Sequence, residues 1–158
     1  MDLKPFANNA KPTGRLLGKG SYGDVEEMKV GQKLVAGKKF RLSVNDDGTM
    51  KKFSTELLTL AQLHHPNIVT FEGVCHPPNE ALPVLLMELL VTNLHSYLLH
   101  SSHANLGTYR KATILCDIAS GLAYLHSLSP PLVHRDLTAK NVLLDSKETA
   151  KIADFGNA

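Results

Sequence analysis

Apolar and polar positions follow two different periods along this chain, and the change of period falls near Leu90. In the first half, short apolar runs of strand length predict strands over residues 15–18, 25–30, 34–41, 68–74 and 84–89. A glycine-rich turn through Gly23 joins the first two as a hairpin. The turn-rich His76-Pro77-Pro78-Asn79 separates the last two as an antiparallel pair. Strand side chains alternate, so Ala36 and Lys38 share one face while Lys39 takes the opposite, solvated one. After the Asn45-Asp46-Asp47-Gly48 loop, Phe53, Leu57, Leu60 and Ala61 recur at the spacing of an amphipathic helix, which Pro66 ends.

Beyond Leu90 the pattern is helical, with a short helix over residues 94–99 and a long one over 108–128. Ile114, Leu115, Ile118, Leu122 and Leu125 form the expected apolar face of the long helix, and Pro130 and Pro131 stop it. Residues 142–144 and 150–152 then read as a small hairpin that folds Asp154 back beside Asn141. The class is therefore α+β, with a flexible leader over residues 1–13, a strand-rich lobe over 14–90 and a mainly helical one over 91–158. A groove between two lobes is the default place for a ligand.

Composition narrows the function classes. The 158 residues are 43% apolar, enough for a folded core, and 17 basic against 15 acidic residues leave a net charge of +2. That balance provides no footprint for nucleic acid. Two cysteines, Cys75 and Cys116, lie outside any CxxC pair and are expected as buried thiols in a reducing compartment. The longest apolar stretch, residues 82–91, is interrupted by Pro83 and Glu88 and falls short of the roughly 20 residues of a membrane span. No signal peptide, internal repeat or zinc-finger spacing is present in the sequence.

The candidate chemistry sits at the turns. Gly18-Lys19-Gly20-Ser21-Tyr22-Gly23-Asp24-Val25 places three glycines between two strands, where backbone N–H groups can close over phosphates that a Cβ would hold off. The same glycine spacing serves dinucleotides when it opens a helix, and a tight hairpin tip is the plain alternative. Lys38 sits on the next strand and Glu56 on the next helix, a natural ionic partner. His134-Arg135-Asp136-Leu137-Thr138-Ala139-Lys140-Asn141 follows the long helix. It offers a carboxylate for an incoming hydroxyl and an amide oxygen for a hard cation. Asp154-Phe155-Gly156 adds a second oxygen ligand.

In this order the motifs resemble the eukaryotic protein kinases, whose pattern of glycine loop, V-A-I-K, H-R-D-L-x-x-x-N and D-F-G is met everywhere except at Gly37. The resemblance covers nearly all of residues 14–158 and implies a bilobal kinase fold, an N-lobe antiparallel sheet with one helix and an incomplete, mainly helical C-lobe. It implies ATP and Mg²⁺ as cofactors and a protein hydroxyl as acceptor. Gly18, Gly20 and Gly23 would cover the phosphates, and Lys38, held by Glu56, would contact them. Asp136 would take the hydroxyl proton, and Asn141 and Asp154 would bind Mg²⁺. Leu17, Val25, Ala36 and Leu143 would sandwich the adenine. Met87 would act as gatekeeper, with the backbone of Glu88 and Leu90 reading the adenine edge. Leu60, Phe71, His134 and Phe155 would form an apolar spine.

Lys140 stands where many tyrosine kinases carry an arginine near the transferring phosphoryl, so the loop looks like the tyrosine kinase or tyrosine-kinase-like branch. The sequence stops two residues after Gly156, before any activation segment or A-P-E motif. This stretch by itself is therefore expected to transfer little phosphate. The alternatives are a non-catalytic nucleotide-binding or scaffold module, or a serine/threonine kinase of the tyrosine-kinase-like group. The expected place is the cytoplasm, either free or as the cytoplasmic part of a membrane receptor.

Overall fold

The computed structural model describes residues 10–19, 23–41, 47–77, 83–100 and 106–158. The chain divides into two units, one running up to Gln62 and including Thr70–Leu89, the other made of Leu63–Val69 and Leu90–Ala158. The leader over residues 1–9 and the glycine-loop residues Gly20, Ser21 and Tyr22 lie outside the described residues.

In the first unit, β1 (Lys11–Lys19), β2 (Gly23–Val30), β3 (Lys33–Phe40), β4 (Phe71–Cys75) and β5 (Val84–Glu88) form an antiparallel sheet in the order β1-β2-β3-β5-β4. Helix α1 spans Asp47–Leu60. Alternation gives the sheet two different faces. Met28, Val35, Cys75, Val84 and Leu86 make an apolar cluster on one of them. Each such side chain removed from water stabilises the fold by about 1.5–3 kcal/mol. Gly37, the departure from V-A-I-K, belongs to this face. A Cβ there would collide with the Met28 sulfur, so a large residue on β2 is matched by the smallest on β3. Lys39 was expected to be solvated. It does take the face opposite Lys38, yet it is only half-exposed and its ammonium pairs with Glu26 at 2.6 Å.

Two strand starts differ from the pattern reading by three residues or more. β1 begins at Lys11, inside the stretch expected as leader, because Lys11 and Pro12 pair with Lys29 and Met28. β4 begins only at Phe71, because Ile68 and Val69 turn to the other unit. There the Val69 N–H donates to the Ile152 carbonyl, and the Ile152 N–H donates to the Asn67 carbonyl.

The second unit holds β6 (Thr92–Asn93), α2 (Leu94–Leu99), α3 (Thr108–Ser127), β7 (Val142–Leu144) and β8 (Ala150–Ile152), with its strands in the order β6-β7-β8. Asn93 caps α2, its side-chain oxygen accepting from the Ser96 N–H at 2.8 Å. Tyr97, Ile114, Val142, Leu144 and Ala150 form one buried apolar cluster, joined by Ile118 at its edge. On α3 the buried positions are Ile114, Gly121 and Leu125, whereas Leu115 is 64% exposed. Successive helical residues point about 100° apart, so Ile114 and Leu115 cannot both face one narrow seam. Cys116 is likewise exposed, not buried as expected, while Cys75 is buried. None of the described helices is long and apolar enough to cross a membrane.

Candidate active site

Strand register decides which side chains of the first unit work together. Val25 lies opposite Lys38, Glu27 opposite Ala36 and Met87 opposite Ala36 from the other side, while Gly18 lies opposite Val25. Directly opposed residues share a face, so Gly18, Val25, Ala36, Lys38 and Met87 are all on the face away from the Met28 cluster. Leu17 precedes Gly18 at the end of β1, half-buried. Gly18 and Gly23 have different reasons to be glycine. A Cβ on Gly23 would run into the Lys39 backbone carbonyl, so the sheet itself excludes a side chain there. A Cβ on Gly18 would meet nothing among the described residues, so their packing does not require a glycine there.

Helix α1 brings Glu56 to Lys38. The ammonium donates to both carboxylate oxygens at 2.8 and 2.6 Å, with the two side chains 12% and 1% exposed. Lys38 also lies 5.3 Å from the Phe40 ring centroid, and Phe40 meets Phe53 of α1 edge-on at 5.4 Å. The lysine is thus fixed in direction by a bidentate pair and an aromatic wall. At the end of β5, the Glu88 N–H donates to the Thr70 carbonyl at 3.0 Å. The Glu88 carboxylate accepts from the Thr70 N–H at 2.7 Å.

In the second unit the same precision comes from the backbone. His134 is buried, and its Nε2 lies 2.9 Å from the Ala153 carbonyl. A carbonyl only accepts, so Nε2 carries the proton, and Nδ1 is left to accept the Asp136 N–H at 3.3 Å. Asn141 donates through Nδ2 to the Asp136 carbonyl at 2.8 Å and to its carboxylate at 3.3 Å. The Ala153 N–H donates to the Asn141 carbonyl at 2.9 Å, which brings the residue before Asp154 against Asn141, as the hairpin reading expected. Arg135 and Asp154 adopt left-handed φ values of 63° and 66°. Such conformations cost about 1–3 kcal/mol each and persist where surrounding bonds dictate them. Phe155, fully buried, meets the His134 ring at 5.0 Å.

A family profile described as protein tyrosine and serine/threonine kinase matches residues 12–158. The chain belongs to the protein kinase family. It is 35% identical over 141 residues to the dual specificity protein kinase shkC of Dictyostelium discoideum, an alignment covering 89% of this chain and 28% of that protein. It is 38% identical over 145 residues to the L-type lectin-domain containing receptor kinase I.3 of Arabidopsis thaliana, covering 90% and 21%. It is 33% identical over 144 residues to the human serine/threonine-protein kinase TNNI3K, covering 90% and 17%. The kinase chain therefore spans under a third of the length of these relatives.

Within this kinase chain, Lys38 and Glu56 are brought together as the sequence suggested, and hydrogen bonds also join His134 to Asp136 and Asp136 to Asn141. Leu143, in β7, is half-buried between Asn93 and Lys151, and Leu90 is half-buried just beyond β5. Lys140 is exposed. Leu60 and Phe71 are buried in the first unit, and His134 and Phe155 in the second. The Mg²⁺ donor set passes a chemical test. The Asn141 amide nitrogen is committed to Asp136, which leaves its oxygen as the atom for a hard cation, and Asp154 adds a carboxylate. Sequence reasoning missed Ala153, which acts through backbone atoms, and Thr70, whose amide and carbonyl both engage Glu88.

Proposed function

We propose that this chain is the nucleotide-handling portion of a protein kinase that transfers the γ-phosphoryl group of ATP to a protein hydroxyl. The bidentate Lys38–Glu56 pair carries the reading, because a cation this buried, aimed and charge-balanced suits phosphate oxygens better than solvent. Gly18, Gly20 and Gly23 close over the phosphates. Leu17, Val25, Ala36 and Leu143 hold the adenine, and Met87 controls access to its pocket. The Glu88 amide is committed to Thr70, so the adenine edge meets the Glu88 carbonyl and the Leu90 backbone.

Asp136 orients the acceptor hydroxyl and takes its proton, held in place by the bond its N–H gives to His134 and the bonds it accepts from Asn141. Lys140 sits near the transferred group. Asn141 and Asp154 hold Mg²⁺, which when bound supplies charge neutralisation on the phosphates. The Lys140 pattern points to tyrosine as acceptor, whereas one relative is named a serine/threonine kinase and another a dual specificity kinase. Phosphoamino-acid analysis of a labelled substrate separates these. The place is the cytoplasm, free or on the inner side of a receptor. The 158-residue piece alone binds nucleotide and transfers little phosphate.

The test is Lys38→Met in the protein that contains this region, assayed with γ-labelled ATP. Loss of at least about a hundredfold in transfer is expected, the size of effect of removing one preorganised charge from a transition state. Unchanged transfer sinks the catalytic reading. Lost transfer with intact downstream signalling moves the biological role to a scaffold.

A further inference from the structure

Among the described residues, strand β1 is the edge of the sheet, with β2 as its only neighbour. Its pairing is irregular just before the glycine loop, with register shifts between Pro12 and Leu16 and again between Leu16 and Gly18. Gly14 lies inside the first shift with a left-handed φ of 88°. A gap in the ladder of an edge strand leaves backbone groups free to slip or to face water.

Three side chains close that gap. The Thr13 hydroxyl donates to the Glu27 carboxylate at 3.0 Å and lies 3.2 Å from the Glu27 carbonyl, and it accepts from the Arg15 N–H at 3.4 Å. Arg15 Nη1 donates to the second Glu27 carboxylate oxygen at 3.1 Å. Glu27 is only 11% exposed although its cation, Arg15, is 66% exposed. An exposed arginine contributes little to stability, so charge pairing alone is a weak reason to bury this acid. Glu27 also stands opposite Ala36, on the face that carries Gly18, Val25 and Lys38.

We propose that Glu27, with Thr13 and Arg15, is a positioning group that fixes the register of β1 and thereby places Gly18 over the nucleotide phosphates. The carboxylate ties the irregular stretch of β1 to β2, and slippage of β1 by one residue would turn the Leu17 and Gly18 positions over. The inference rests on the phosphate-covering role given to Gly18 above. A slipped β1 costs the adenine one contact, Leu17, while Val25, Ala36 and Met87 stay in place on β2, β3 and β5, so the phosphates under Gly18 are harmed more.

The test uses the 158-residue chain with Thr13→Val, Thr13→Ser and Glu27→Leu, titrated calorimetrically with ADP and with adenosine. Thr13→Val and Glu27→Leu should weaken ADP about tenfold, the size of one lost hydrogen bond to a charged group, and weaken adenosine by no more than about threefold through Leu17. Thr13→Ser, which keeps the hydroxyl, should match the wild type. Equal weakening of both ligands, or none, overturns the proposal. Amide exchange in nucleotide-free protein gives a second reading. Residues 16–19 should exchange about tenfold faster in Thr13→Val while residues 35–38 do not change. Unchanged exchange overturns the register claim. Wild-type protein that binds neither ligand refutes the nucleotide reading, and the exchange result then decides the register by itself.

Discussion

Lys38 in the first unit and Asp136 in the second are both held firmly, but by different materials. Lys38 lies on a regular strand and is aimed by one side-chain partner, Glu56, from a regular helix. Asp136 lies on irregular backbone and is aimed by main-chain bonds, with His134 reading the Ala153 carbonyl and Asn141 the Asp136 carbonyl. A side-chain pair is replaceable as a pair. A network that ends on carbonyls and amides has no second residue to mutate in compensation.

The largest effect should come from breaking the pair. Lys38→Met leaves the 1%-exposed Glu56 without its cation and should cost about 3 kcal/mol of stability by urea unfolding. Lys38→Met with Glu56→Leu should recover most of that, because an apolar couple fills a buried site at least as well as an ion pair. A double variant as unstable as the single one would mean that other partners hold Glu56.

His134→Phe tests the other side of the comparison. The ring can still meet Phe155, but the Ala153 carbonyl and the Asp136 N–H each lose a partner in a buried place. The expected cost is about 2 kcal/mol, measured in the same unfolding experiment. No second substitution should restore it. Recovery by a change at Phe155 would show that ring packing, not the main-chain bonds, sets the loop.

This division also explains what could be read from the sequence. Lys38, Glu56, Asp136 and Asn141 announce themselves because their chemistry is in their side chains, at spacings that strand, helix and loop geometry make meaningful. The long helix and the final hairpin were legible from period and turn residues. Ala153 was not, since its contribution is a carbonyl and an N–H that any residue would offer. The departure of Ile68 and Val69 from β4 was hidden for a related reason: an apolar pair of strand type fits either unit, and only its ladder with Ile152 assigns it. Leu115 was misplaced because apolar character alone does not say how wide a buried seam is. Glu27 had a faint signal, an acid at an inward strand position opposite Ala36.

The regular sheet of the first unit makes a smaller prediction of the compensating kind. Gly37→Ala puts a methyl group where the Met28 sulfur already is and should cost about 1–2 kcal/mol by thermal or urea unfolding. Adding Met28→Ala should relieve the clash, so that the double variant loses less than the sum of the two single ones. If Gly37→Ala is neutral alone, Met28 has room to move and the match between β2 and β3 is looser than the contact suggests.

The smallest effect belongs to the turn between β7 and β8, where backbone again grips a carboxylate. Burial by itself would raise the Asp145 carboxyl, but the Thr149 and Lys147 N–H groups, the Thr149 side chain and the Lys151 charge outweigh it and hold the group below its ordinary 3.8. Both amides donate to Oδ1 at 2.8 Å. A folded value below the unfolded one means that the native state binds fewer protons. This contribution to stability is therefore complete above the unfolded value and is lost as pH falls through the folded one. Asp145→Asn removes the titration while keeping an acceptor oxygen. The melting-temperature gap between wild type and Asp145→Asn should be constant above about pH 5 and should narrow progressively below about pH 4. The effect stays small because Asp145 is not fully buried and solvent screens its charge. A gap that stays constant down to strong acid would mean that the amides hold the neutral acid as firmly as the carboxylate, and the turn would then be set by geometry and not by charge.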